Sequence, residues 1–387
     1  MTQVAIIGVG QTDYRRSHPD KSSRDLIWEA SKLALEDARM EIGDIDVILA
    51  GVAPDALAGE GSVERTAMMG TGQPFLRINT GGVTGSSTAF AGITWIRSGR
   101  AKRALVVCVE RMGQASTSQS VFNTIFDPVY EKDFPLTTIT MAALRASMLM
   151  RLYGYTDRHW AEIAARSFRN ARRNPHAHLK LDLTPEDVLA SPLLSWPIHR
   201  AEACPMSEGA CAMVLSAADL VGDRIAAWVQ GAASTSDSYA MGDRIHRPEG
   251  ALVDLLSLRL SAQKAYGQAG ITNPVKELRV VELYSAFSSA EAMAYPALGL
   301  CRAEDGPRFV EAQFTDDSLP AINPSGGPQG ANPVSATAMV RIAECALQVR
   351  GMAGEHQVAD VERAVATGQG GATQFSTVCV LGSSPGP

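Results

Sequence analysis

Residues 81–109, GGVTGSSTAFAGITWIRSGRAKRALVVCV, pass from a glycine turn into a helix of small residues, stop at a basic Ser-Gly-Arg, and end in a β-branched run. The same order returns at residues 325–351, SGGPQGANPVSATAMVRIAECALQVRG, continued by VERAVATGQGG at 361–371. A second echo pairs EASKLALEDARMEIGDIDVILAGV (29–52) with LSAQKAYGQAGITNPVKELRVVELYS (260–285): helix, small-residue stop, buried strand. Two repeats in one order predict a pseudo-duplicated fold. The glycine turn itself has two readings, a nucleophile held at a helix N-terminus or a close approach of two helices, and the stretch alone leaves both open.

Outward from these repeats, short β-branched runs alternate with longer helical ones. The runs are VAIIGV (4–9), VILAGV (47–52), ALVVCV (104–109), AMVLSA (212–217), IAAWVQGAA (225–233), RVVELY (279–284), AVATG (364–368) and STVCVLG (376–382). Between them, segments such as SSRDLIWEASKLALEDARM carry apolar residues at helical spacing. The alternation predicts an α/β sheet with helices on both faces. Residues 113–205 break the rhythm and are expected to form an inserted helical and loop subdomain, a usual place for specificity. The expected organisation is therefore an N-terminal half, 1–222, that contains the insertion, and a C-terminal half, 223–387.

The chain has 387 residues, 45% hydrophobic, 20% charged and 6% aromatic, with 34 glycines, a balance that supports a large packed core. The net charge of -6 and the lack of a basic block argue against nucleic acid. No apolar run approaches the ~18 residues of a membrane span, and the start has no leader pattern, so a soluble cytoplasmic protein is expected. Six cysteines are scattered without a CxxC pair, which speaks against a metal or disulfide framework and for small buried hydrophobes.

Several local patterns read more plainly as structure than as sites. GVGQTD (8–13) follows the first strand but lacks the third glycine of a dinucleotide loop, and reads as a strand-to-loop turn. His176 and His178 alternate after an Asn-Pro turn without nearby carboxylates or thiols, weak support for a metal. Arg158, Arg166, Arg169, Arg172, Arg173 and Lys180 read as a solvated helix face, with a phosphate dock as the functional alternative. Four turns remain at strand ends or helix starts: GSST (85–88), ELYSAF (282–287), GGPQGANP (326–333) and ATGQGG (366–371). Their convergence from both halves would form one pocket, where helix N-termini hold developing negative charge.

In this order the turns resemble the thiolase superfamily, specifically its sterol-carrier-protein-type branch. The resemblance runs from AIIGVGQTDY through CPMSEGACAMVLSAAD, YSAF, INPSGG and ANP to the terminal glycine turn. It implies a thiolase-like five-layer α/β/α/β/α duplication. It also implies a cysteine nucleophile before a buried helix, a histidine base and a second cysteine in the last glycine turn. Mapped here, these positions fall on Ser86, or Ser87 with a one-residue slip, on Asn332 and on Ala366. Serine is a weak nucleophile without a base, and Asn332 cannot be one, although its amide can donate to a thioester oxygen.

Tyr284 stands where thiolase-like aldolases resembling this chain use a tyrosine to move the proton of a β-hydroxyl, although Ser285 follows here in place of their aspartate. Tyr284 as a base needs a depressed pKa; its structural alternative is an aromatic capping a strand end. The resemblance thus favours retro-aldol cleavage of a β-hydroxyacyl-CoA, with Tyr284, Ser86 and Asn332 at the chemistry and Gly85, Ser87, Gly327 and Gly370 holding substrate. The alternatives are acyl transfer through Ser86 and a non-catalytic acyl-CoA-binding or scaffold subunit. Coenzyme A is expected as part of the substrate, with no bound cofactor or metal. Implied partners are a second copy in a homodimer and a small zinc-containing OB-fold protein.

Overall fold

The computed structural model describes residues 2–52, 72–114, 118–131, 133–244 and 246–387. Twelve strands are found among them: β1 (Val4–Gln11), β2 (Val47–Val52), β3 (Phe75–Ile78), β4 (Arg103–Arg111), β5 (Leu193–Ser195), β6 (Ile198–His199), β7 (Glu208–Ala217), β8 (Ala227–Ser236), β9 (Val280–Glu282), β10 (Ala321–Ile322), β11 (Arg363–Gly370) and β12 (Phe375–Gly382). Seven helices carry the architecture: α1 (Ser23–Ala38), α2 (Thr84–Arg97), α3 (Thr138–Tyr153), α4 (Asp157–Ala171), α5 (Leu256–Ala269), α6 (Ser288–Ala297) and α7 (Val334–Val349). None of the described helices is long and apolar enough to cross a membrane.

Ten strands form one sheet in the order β10-β9-β11-β12-β8-β1-β7-β4-β2-β3. It divides at the short β1–β8 pairing, Ala5↔Trp228 and Ile6↔Ala227, into two halves with matching connectivity. In the first half β3 and β4 flank β2 in parallel, and β7 runs antiparallel to β4 and β1. In the second, β10 and β11 flank β9 in parallel, and β12 runs antiparallel to β11 and β8. Every predicted strand run forms a strand, and the duplication is present in the hydrogen-bond pattern itself. The edge strands β3 and β10 are additions to the sequence reading, being four and two residues long with too little pattern to recognise.

The layers follow from which faces are apolar. β2 reads VILAGV and is buried at all six positions, as a strand covered on both faces must be. α1 covers one face of the first half-sheet, while Leu258, Ala262 and Ala265 of α5 pack on the second. Between the half-sheets lie α2 and α7, whose Ala89, Ile93, Met339 and Ile342 join one cluster with residues of both. α7 is buried at 14 positions, the expected property of a helix enclosed on all sides. A Cβ on Gly85 would sit 2.4 Å from the Met339 backbone nitrogen, so this glycine exists to let α2 and α7 approach. The GVGQTD stretch is also packing: Gly8 lies within β1, and a Cβ there would meet the Ala34 carbonyl of α1 at 2.2 Å.

The buried charges on α7 are paired. Arg341 of α7 bonds Glu282 and Ser325, and Glu344 accepts from Gln11 Nε2 at 2.8 Å and from His356 Nε2 at 2.8 Å. Burial pushes the Glu344 carboxyl up, but the His356 bond and charge outweigh it and hold the group below the usual carboxylate range. Burial likewise opposes the His356 imidazolium, and Glu344 overcomes it, raising His356. A lowered carboxylate stabilises above its unfolded value of about 4.5 and a raised histidine below about 6.5. The pair is therefore expected to contribute most between these limits, losing strength toward acid through Glu344 and toward alkali through His356. Denaturant midpoints of the wild type and His356→Gln from pH 4 to 8 check this: the variant's deficit should shrink above pH 7, and a pH-independent deficit contradicts it.

Candidate active site

Among the described residues, a large cavity of 1090 Å³ lies where strand ends of the second half meet the start of α2 and side chains from residues 112–206. Its walls are largely apolar, with Phe122, Ile139, Met141, Phe168, Phe287 and Met293 among them. That size and lining suit a bulky apolar ligand oriented by a few polar groups. Of the residues expected at the site, Tyr284, Asn332 and Gly370 line it.

Ser86, Ser87, Gly85 and Gly327 do not line it. Ser86 is the third residue of α2, 2% exposed, donating to the Val83 carbonyl at 3.0 Å and accepting from Thr377 Oγ1 at 2.7 Å. Ser87 accepts from Thr80 Oγ1 at 2.8 Å, and Gly327 packs on Asn323. Ala366 is inside β11, paired with Cys379 and Glu282, so the glycine turn that follows meets the cavity through Gln369, Gly370 and Gly371 instead. The residue of the 81–88 turn that does face the cavity is Gly82. A Cβ there would lie 2.4 Å from the Gln369 carbonyl oxygen and 3.2 Å from Gly370 Cα. The place nearest the helix start that could present a nucleophile has no side chain and no room for one.

Polar groups gather on the opposite wall. Tyr284 follows β9, its backbone N–H donates to Thr367 Oγ1 at 2.9 Å, and Thr337 lies near its phenol. Thr337 Oγ1 donates to Asn332 Oδ1 at 2.8 Å, and Asn332 Nδ2 donates to Cys204 Sγ at 3.1 Å. The Asn332 backbone N–H donates to Ser207 Oγ at 3.1 Å, and Ser207 Oγ lies 3.0 Å from His178 Nδ1. One chain of hydrogen bonds thus joins the cavity residues His178, Asn332 and Cys204, and Tyr284 sits beside its far end at Thr337. His178 is the functional candidate the sequence reading passed over. Its NPHAH context offers no local sign that the insertion folds back onto the strand ends.

The electrostatics separate the roles. Burial, with the Cys204 thiol and Glu110 nearby, pushes the Tyr284 phenol well above its ordinary value, so it keeps its proton and donates. A tyrosinate base would need the opposite, a depressed value. Burial also pushes the Cys204 thiol up to about 12, which leaves almost no thiolate at neutral pH. Half-buried His178 moves the other way: burial, then the charge of Arg16, lowers it and favours the neutral imidazole. Behind the phenol, Glu110 accepts from the Ser335 and Arg111 backbone N–H groups, and burial pushes it up to about 7.

The cations of the arginine-rich stretch all have partners of their own. Arg166 is buried against Glu291 and Tyr295, Arg158 pairs with Glu162 and Glu186, and Arg172 pairs with Asp182. Arg173 donates to Asn170, Arg169 lies over the Phe314 ring at 5.9 Å, and Lys180 donates to the Pro175 carbonyl.

Family models complete the picture. Residues 4–189 match the thiolase N-terminal domain and residues 243–383 the thiolase C-terminal domain-like model. The chain belongs to the thiolase superfamily. The acetyl-CoA acetyltransferase of Methanothermobacter thermautotrophicus is 28% identical over 94% of each chain. Human sterol carrier protein 2 is 26% identical over 92% of this chain and 68% of its own length, which agrees with the sterol-carrier-protein-type branch. Among solved structures, the Ltp2-ChsH2(DUF35) aldolase superposes with a TM-score of 0.81 at 23% identity, covering 98% of this chain and 97% of that one. Human mitochondrial 3-ketoacyl-CoA thiolase in complex with CoA gives 0.74 at 16% identity, covering 99% and 98%. At these identities the structural matches establish the shared thiolase fold, including its duplicated layers.

Proposed function

We propose that this thiolase-superfamily member acts on acyl-CoA thioesters as a carbon–carbon lyase, cleaving a β-hydroxyacyl-CoA by a retro-aldol reaction. The observation that carries the reading is the cavity's chemistry: a neutral phenol, an amide and an unprotonated imidazole, with glycine where a nucleophile would stand. The names of the relatives supply the CoA thioester, and the aldolase neighbour's name agrees with the reaction class.

His178, in the tautomer whose Nδ1–H donates to Ser207, has a lone pair on Nε2 to take the β-hydroxyl proton. As the Cα–Cβ bond breaks, the hydroxyl carbon becomes a carbonyl and the electron pair passes to the thioester enolate. The Tyr284 phenol and the Asn332 amide hold the enolate oxygen, and the imidazolium proton returns to Cα. The products are a carbonyl compound and a shortened acyl-CoA. Acyl transfer through Ser86 is disfavoured because that hydroxyl is already bonded on both sides, away from the cavity. The reading includes a homodimer and, as the family resemblance implies, a small zinc-containing OB-fold partner; the aldolase neighbour's name also joins two components.

The test is incubation of the protein, alone and with such a partner, with a β-hydroxyacyl-CoA and no free CoA. Release of an aldehyde or ketone with the shortened thioester is expected; strict dependence on free CoA overturns the reading, and tight binding without turnover favours the scaffold alternative. Because the base must be unprotonated and His178 is lowered, kcat/KM should fall on the acid side only below about pH 6.5. His178→Asn should abolish that limb together with most of the rate.

A further inference from the structure

Three arginines on the cavity wall, Arg16, Arg145 and Arg200, take no part in this chemistry, and Arg145 is the most deeply buried of them. Arg145 of α3 lines the cavity and is 2% exposed. Its Nη2 donates to the Ala372 carbonyl at 2.8 Å and to Thr373 Oγ1 at 2.9 Å, on the turn that follows Gly370 and Gly371. Its Nε has no hydrogen-bond partner among the described residues. No carboxylate pairs with it there either. Arg244, also buried, reaches the same two oxygens at 3.2 and 3.1 Å. The neighbouring Asp237 is shared between Arg244 at 3.5 Å and Arg247 at 2.7 Å.

A guanidinium without a carboxylate in ion-pair contact is costly to bury; Arg145 is such a group, with Asp237 acting on it only from beyond contact, and the Asp237-paired Arg244 converges with it on one carbonyl. Burial, with Arg244 beside it, lowers Arg145 to about 9, which leaves it cationic at neutral pH but unfavourably placed. To hold the turn in place, a neutral donor would do. An interior cation facing a ligand cavity is instead matched to a negative charge that arrives with the ligand.

We propose that Arg145 binds an anionic oxygen group of the ligand, a site for a carboxylate or phosphate within the cavity. The inference rests on the acyl-CoA reading for the two sources of that anion. One is a carboxylate on the acyl group, which would make the substrate a half-thioester of a dicarboxylic acid. The other is a phosphate of coenzyme A.

Equilibrium binding to the full chain, with no turnover required, separates this proposal from the lyase chemistry. The probes are an S-acylpantetheine, its ω-carboxylated counterpart of equal length, and coenzyme A. Arg145→Gln should weaken one anionic probe at least tenfold and leave the neutral acylpantetheine within twofold. Loss confined to the ω-carboxylated probe assigns the acyl carboxylate; loss confined to coenzyme A assigns the phosphate. Equal weakening of all three probes, or of none, overturns the proposal. Should Arg145→Gln not fold, Arg145→Lys, which keeps the charge but not the guanidinium fork, should weaken only the anionic probe, by threefold or more. A wild-type protein that prefers neither anionic probe over its neutral counterpart overturns the proposal without any variant.

Discussion

Tyr284→Phe is expected to lower kcat for β-hydroxyacyl-CoA cleavage by about 100-fold or more while changing KM by less than about threefold. The substitution deletes one oxygen and keeps the ring that fills the cavity wall. The backbone bond from residue 284 to Thr367 Oγ1 is untouched, so β9 and its turn stay in register. What is lost is a donor whose proton is firmly held, because burial and the nearby Cys204 and Glu110 oppose the phenolate. Such a donor matters most when the thioester oxygen gains negative charge, which happens in the transition state and barely in the bound substrate. The effect should therefore fall on kcat, not on KM. Steady-state kinetics beside a thermal melt decide the matter: an unchanged melt with wild-type kcat removes Tyr284 from the chemistry.

How far the chain could be read before folding depended on whether the signal was local. VILAGV became β2 to the residue because a strand covered on both faces must be apolar throughout, and that needs no knowledge of its neighbours. The duplication was legible for the same reason, since each echo carries its own turn, helix and strand. β10, two residues long, left no pattern to find. Within the site, Tyr284, Asn332 and Gly370 were visible because they end strands or precede a helix, where side chains and amides are free to meet a ligand. The 81–88 turn was harder. Its serines carry the chemistry a reader looks for, yet helical rotation turns Ser86 toward Thr377 and leaves bare Gly82 on the cavity. His178, Cys204 and Arg145 reach the cavity only because residues 113–205 pack against the strand ends, a tertiary fact that no spacing in their own segments encodes.

Gly82→Cys tests that rotation and the missing nucleophile together. The variant is expected to lose about 3 kcal/mol of stability and to gain no thiolytic activity. The cost follows from what its Cβ would strike: the Gln369 carbonyl at 2.4 Å and Gly370 Cα at 3.2 Å, both backbone atoms. Neither can swing aside as a flexible side chain would, because β11 is tied to β12 through the pairs Gln369↔Ser376 and Gly370↔Phe375. The chemical failure has a separate cause. A thiol becomes a nucleophile only as its thiolate; the amide of Asn332, at the position of the family's histidine, cannot accept the proton, which leaves His178 as the one base the adduct measurement would reveal. Cys204, on the same cavity and bonded to Asn332 Nδ2, already shows a thiol pushed up to about 12. Urea midpoints and intact-mass spectrometry after incubation with an acyl-CoA read the two outcomes independently. An unshifted midpoint would mean that the turn has room for a side chain, and a stable acyl adduct at position 82 would mean that a base is within reach of it; either result would return this cavity to covalent thiolase chemistry.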